Sequence, residues 1–208
     1  MDDLSLILFI SIVTPLAMTL FICKGRTRTL LTFLIIGITT CLFCGQISAI
    51  VVGKLPYSYN YCTSNITPII EEVIKALPLI FYAFEFRPDR KQLMECAAVL
   101  GVGFAVLENA FILATTAGTV SITLAFIRGF GSGMMHGICT ILVGFGISFV
   151  YTFRKLFYTG IFALISVAIV YHSAYNSLVT SNHIIEGFIL PTITFVPLII
   201  YLNKKDLI

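Results

Sequence analysis

The amino-acid sequence predicts an all-α polytopic membrane protein of about seven transmembrane helices, N-terminus outside and C-terminus cytoplasmic. Three observations carry this. Hydrophobic residues make up 58% of the 208 and charged residues 11%, with a mean hydropathy of +1.01, where a soluble domain holds about 25% charged residues. The apolar residues fall in runs long enough to cross ~30 Å of hydrocarbon at ~1.5 Å per residue. The basic residues gather in alternate connections: Lys24, Arg26, Arg28, Arg87, Arg90, Lys91, Arg154, Lys155, Lys204 and Lys205 on one side, against Lys54 and Arg128 on the other. The positive-inside rule makes the first side cytoplasmic. The net charge of +3 therefore marks membrane topology and does not point to nucleic acid.

In chain order, the first span covers residues 4–23. It follows Asp2 and Asp3 and lacks the basic start of a signal peptide, so it reads as a retained span. The second covers 30–52, and a polar connection, 54–65, leads to the third, 66–84. A charged loop, 85–92, precedes the fourth at 93–113. Residues 121–153 are too long for one upright span. Their glycine-rich RGFGSGMMHG segment suggests a short interfacial or re-entrant piece before Arg128, with the true span starting near Phe130. Spans at 157–178 and 184–202 complete the set. Connections this short leave one transmembrane domain, residues 1–208, and no soluble domain. Gly129, Gly133 and Gly137 form a small-xxx-small stripe that suits close helix packing.

Most of the six cysteines (Cys23, Cys41, Cys44, Cys62, Cys96 and Cys139) lie inside spans, where cysteine behaves as a small apolar residue. Cys62 lies in the outer connection and has no evident mate.

The third span, ITPIIEEVIKALPLIFYAF, carries Glu71, Glu72 and Lys75. Each charge at a bilayer centre costs roughly 2.5–3.5 kcal/mol. Lys75 stands four residues from Glu71 and three from Glu72, so it can neutralise one carboxylate. The other needs a proton or a partner on another helix. Spans four to six supply candidates at one depth: Glu108 and Asn109, His136, and His172 with Asn176 one turn apart. Arg128 sits at the outer interface. The layer lies roughly 5–12 Å below the outer boundary at 1.5 Å per residue. Glu95, Glu186 and His183 fall at span ends or in loops and read as solvated.

Four helices contributing costly polar groups at one level point to a functional site. Two carboxylates and two histidines fit a zinc site, with Glu72, His136 and His172 as ligands and an open position for water. They also fit a metal-free hydrolase. There a glutamate acts as general base on water, and His172 with Asn176 stabilises the oxyanion. A proton-coupled transporter remains a third reading, because Glu/His chains relay protons.

The motifs EEVIK (Glu71 to Lys75), GVGFAVLEN (Gly101 to Asn109), Arg128 with His136 eight residues on, and HSAYN (His172 to Asn176) resemble the PrsW-type intramembrane proteases. Those are distant relatives of the CAAX prenyl endopeptidases and the Abi group. The motif core is 71–176, about half the chain. The resemblance implies a multi-pass endopeptidase of the cell membrane that cleaves a single-pass membrane protein, the characterised family role being site-one cleavage of an anti-sigma factor. It implies that Glu71 and Glu72 are the catalytic pair with His136 as partner, and that His172 and Asn176 match the oxyanion-stabilising HxxxN. It further implies supporting places for Lys75, Glu108, Asn109 and Arg128, and leaves the cofactor open between zinc and none. The CAAX group has FxxxH, whereas Phe130 precedes His136 by six. The wider relatives include the Aph scaffold subunit of gamma-secretase, which keeps buried histidines without being the protease. Both glutamates are present here, which favours an enzyme over a scaffold.

Overall fold

The computed structural model describes residues 3–116, 121–149, 157–181 and 183–208, with no strand among them. The helices are α1 (Asp3–Thr19), α2 (Gly25–Val52), a short α3 (Tyr59–Tyr61), α4 (Thr67–Phe86), α5 (Arg90–Thr115), α6 (Ile122–Ser148), α7 (Phe157–Thr180) and α8 (Ile184–Lys204). Among the described residues, five stretches are long and apolar enough to cross a membrane: α2, α5, Ala125–Ser148 in α6, Thr159–Thr180 in α7, and α8. The α1 helix is apolar but shorter. The α4 helix is 20 residues long and carries Glu71, Glu72 and Lys75.

Local chemistry sets the helix ends. The connection between α4 and α5 shrinks to three residues. Arg87 closes α4 in the left-handed region, at φ 48°. Pro88 cannot continue a helix. The Asp89 carboxylate accepts a hydrogen bond from the Gln92 backbone N–H at 2.7 Å, capping α5. The expected outer connection is also more ordered than a loop. After α3 the chain makes a π turn (Cys62–Ile66) that runs into α4. Cys62 is fully buried in that turn and so does not face an outer compartment.

The break expected at the glycine-rich segment does not form. α6 is one helix of 27 residues, with Arg128 inside it. A glycine costs a helix about 1 kcal/mol relative to alanine. Packing of α6 against α5, α7 and α8 outweighs that cost. Gly129 and Gly133 face open space, and Gly137 only grazes Phe195. The close approaches are made elsewhere. A methyl at Gly37 would overlap the Leu100 carbonyl, at Gly101 the His136 carbonyl, and at Gly103 the Leu34 carbonyl. These three glycines let α2, α5 and α6 pack backbone to backbone, as small residues do between membrane helices.

The pairs α5–α6 and α2–α5 pack most extensively, and α4 lies against α2, α5, α6 and α7. The apolar core between them includes Leu79, Leu93, Leu100, Met135, Cys139 and Ile147. One end of the bundle is held by ion pairs. The Arg26 guanidinium on α2 binds both oxygens of Glu95 on α5, so Glu95 is paired. Lys91 binds Asp206 at 2.7 Å, and Leu207 and Ile208 fold back over Met94, Ile141 and Leu202. Glu186 and His183 are exposed. Arg154 and Lys155 lie outside the described residues.

Candidate active site

Residues from all four motifs, one on each of four helices, meet in one buried cluster. EEVIK sits on α4, and its Glu71, Glu72 and Lys75 are 6%, 0% and 1% exposed. In GVGFAVLEN on α5, Gly101, Phe104 and Glu108 recur at helical spacing and so share one face. Gly101 admits α6, the Phe104 ring lies 4.5 Å from the Lys75 ammonium, and Glu108 reaches His136. His136 on α6 and His172 on α7 are both fully buried. Their rings meet edge to face at 4.8 Å.

The hydrogen bonds run as a chain, and the partners determine where the protons lie. The Lys75 ammonium donates to Glu72 Oε1 at 2.6 Å and to His136 Nδ1 at 2.9 Å. His136 Nδ1 is thereby an acceptor, so its ring proton is on Nε2, which donates to Glu108 Oε2 at 3.0 Å. Ser132 Oγ donates to the same oxygen at 3.2 Å. At the other end of the chain, His172 Nδ1 donates to Glu72 Oε1 at 2.7 Å. In the neutral ring this leaves Nε2 with only a lone pair.

That lone pair faces Glu71. His172 Nε2 and Glu71 Oε2 are 3.7 Å apart. Both atoms are buried, and neither has a hydrogen-bond partner among the described residues. The two adjacent glutamates thus differ sharply. Each has a buried, unpartnered Oε2, but Glu72 Oε1 accepts from a lysine and a histidine, whereas the free oxygen of Glu71 lies beside His172 Nε2.

The remaining expected residues are placed as follows. Asn176 on α7 donates from Nδ2 to the Thr63 carbonyl at 3.0 Å, in the π turn. Thr180, one turn on, bonds Ser64 at 3.1 Å. These contacts latch the turn that leads into the EEVIK helix. Asn109 is 8% exposed, with a buried and unpartnered Oδ1, and Arg128 has a buried Nε without a partner among the described residues. Phe104 and Ser132 are new members of the site. Each precedes a site residue by four, Glu108 and His136 respectively, and that spacing is the signal that could have found them.

A family model described as PrsW family intramembrane metalloprotease matches residues 25–202. The chain belongs to this family. Neither the comparison with curated proteins nor that with solved structures gives a match. Membership in the PrsW family, with five membrane-length apolar helices, makes this a multi-pass membrane protein of a peptidase family.

The family description raises the question of a metal. Glu71, His136 and His172 each offer one donor atom, all within 4.8 Å of one another. Glu71 takes the place of Glu72 in the expected ligand set, because Glu72 Oε1 is committed to Lys75 and His172. A tetrahedral zinc with bonds of about 2.0–2.2 Å needs donors about 3.4 Å apart. Glu71 and His172 offer free donors, but His136 does not. A histidine that ligates through one nitrogen carries its proton on the other and donates it. Ligation through His136 Nε2 would set an Nδ1 proton against the Lys75 ammonium, donor against donor. Ligation through Nδ1 would put the ion where Lys75 Nζ lies. With Lys75 in place, this donor set does not fit a three-ligand ion.

Proposed function

We propose that this PrsW-family chain is an intramembrane endopeptidase of the cell membrane that hydrolyses a peptide bond of a membrane-anchored protein, such as an anti-sigma factor. We read the bundle as crossing the bilayer seven times, N-terminus outside, with the Glu/His site toward the extracytoplasmic side. The alternating basic connections support that orientation, and so does the ion-paired end formed by Arg26, Lys91 and the tail.

The observation that carries the mechanism is the pair of unpartnered buried atoms, Glu71 Oε2 and His172 Nε2, at 3.7 Å. That distance is too long for a direct hydrogen bond and short enough for one water to bond both. Glu71 acts as the general base. It takes a proton from the water as the oxygen attacks the scissile carbonyl carbon, and returns that proton to the amine nitrogen as the C–N bond breaks. The His172 lone pair accepts the water's second proton as a hydrogen bond and so aims the oxygen. Glu72 holds His172 in the required tautomer. His136, Glu108 and Lys75 hold Glu72 and the ring stack in place. Asn176 positions the π turn.

The test is quantitative membrane proteomics on cells carrying wild type or Glu71→Gln. One single-pass protein accumulating intact in the variant, its fragment lost, is the expected outcome. General-base catalysis contributes ~10²–10⁴-fold, so the purified variant should lose cleavage by about that factor while melting like wild type. If no fragment changes under several envelope stresses, while a partner disappears from pull-downs of the variant, the chain is a scaffold.

A further inference from the structure

We infer that the Lys75 ammonium is the resident cation of this site and occupies the position a metal ion would take, so that the chain's carboxylate–histidine cluster is organised without a metal. The inference rests on the hydrolytic reading of the same site.

The argument is one of donors and acceptors. An ammonium has three N–H donors. Those of Lys75 have three recipients: Glu72 Oε1 at 2.6 Å, His136 Nδ1 at 2.9 Å and the Phe104 ring face at 4.5 Å. A carboxylate oxygen, an imidazole lone pair and an aromatic face are what a buried cation seeks. The side chain is 1% exposed, so bulk solvent does not compete. The same geometry propagates outward. Because Lys75 Nζ donates to His136 Nδ1, the His136 proton is sent to Nε2 and on to Glu108. Because Glu72 is held by Lys75, it can receive the His172 Nδ1 proton and leave His172 Nε2 bare beside Glu71. A metal ligated by a histidine polarises that ring in a comparable way. Here a covalently attached cation does so, and its tether cannot dissociate. Lys75 is thus a positioning residue: it sets the tautomers of both histidines without touching the substrate.

The inference predicts competition between Lys75 and a metal for the same donors. The full-length protein, purified in detergent with zinc(II) or cobalt(II) supplied and then dialysed, is assayed for bound metal and for cobalt ligand-field absorption. Wild type should hold no stoichiometric metal and show no ligand-field bands. Lys75→Ala frees His136 Nδ1 and one lone pair of Glu72 Oε1, and should take up metal at least about tenfold more than wild type. Equal uptake by the two proteins, at whatever level, overturns the inference. If Lys75→Ala does not fold, wild type decides alone. One tightly held zinc per chain overturns the assignment, and a zinc-free chain whose melting temperature is indifferent to added zinc supports it. Metal uptake is read without a substrate, so the cation assignment and the protease reading can fail separately.

Discussion

The interior of this bundle and one of its ends are held by ion pairs of similar chemistry and very different physics. Lys75 and Glu72 pair with side chains 1% and 0% exposed, whereas Arg26 and Glu95 are 51% and 17% exposed and Lys91 and Asp206 33% and 88%. An exposed pair gives up little hydration and gains little. A buried pair loses several kcal/mol of hydration per ion and recovers it only where the remaining donors and acceptors are satisfied. The Lys75 ammonium meets that condition, and Glu72 meets it at Oε1 but not at Oε2. The lesson is that the inner pair acts as a template for the histidines, and the outer pairs as clasps on the helix ends.

The comparison can be broken most severely at its inner member. Lys75→Met leaves Glu72 buried without its cation and should cost roughly 3–5 kcal/mol of stability, read as a large fall in melting temperature in detergent. Adding Glu72→Gln should recover part of that loss, because the uncompensated charge is then gone. A double-mutant cycle whose single costs simply add would refute the coupling. Next in size is Gly101→Ala. Its methyl overlaps the His136 carbonyl, and relief by backbone movement should cost about 1–3 kcal/mol. Gly133→Ala enters open space and should be neutral or stabilising by up to about 1 kcal/mol. The two melting temperatures, measured side by side, test which glycines pack.

The outer pairs should yield far less. Arg26→Ala should leave the melting temperature within the scatter of the measurement and cleavage unchanged. A shift as large as that of Lys75→Met would remove the distinction between the inner and outer pairs. The smallest effect concerns the tail. The hydrogen bond from Lys91 holds the Asp206 carboxyl below its ordinary range. A lowered folded value means that the stabilisation is fully present above the unfolded carboxylate's pKa of about 3.9 and fades as the pH falls through the folded value. A spin label at Ile208 should therefore gain mobility on acidification, and Lys91→Ala should show that mobility already at neutral pH.

How much of this was legible beforehand differs by residue. Glu71, Glu72, Lys75, Glu108, His136 and His172 all stand out in the chain, because a charged or titratable group inside an apolar run is costly and rare. The cluster they form follows from their placement on successive helices. The division of labour between Glu71 and Glu72 was not legible. Adjacent residues on a helix point about 100° apart, and which of them meets Lys75 and His172 depends on the rotation of α4 against α6 and α7. The glycine stripe misled for the same kind of reason. Gly129, Gly133 and Gly137 have the right spacing for a contact, but that face of α6 has no helix backbone against it, and Gly37, Gly101 and Gly103 make the close approaches instead. The unbroken α6 shows tertiary packing overriding the local preference of glycine.

By itself, then, the sequence determined the membrane-helix class, the family and the set of polar groups that must find partners, because hydrocarbon penalises each such group wherever it lies along the chain. Only the tertiary structure decided which partner each group found. It gave Lys75 to Glu72 and His136, sent the His172 proton to Glu72, turned Asn176 toward the π turn and left Glu71 beside a bare nitrogen. Hydrogen bonds form and fail over a few tenths of an ångström, and distances of that size are set by how helices rotate and close on one another.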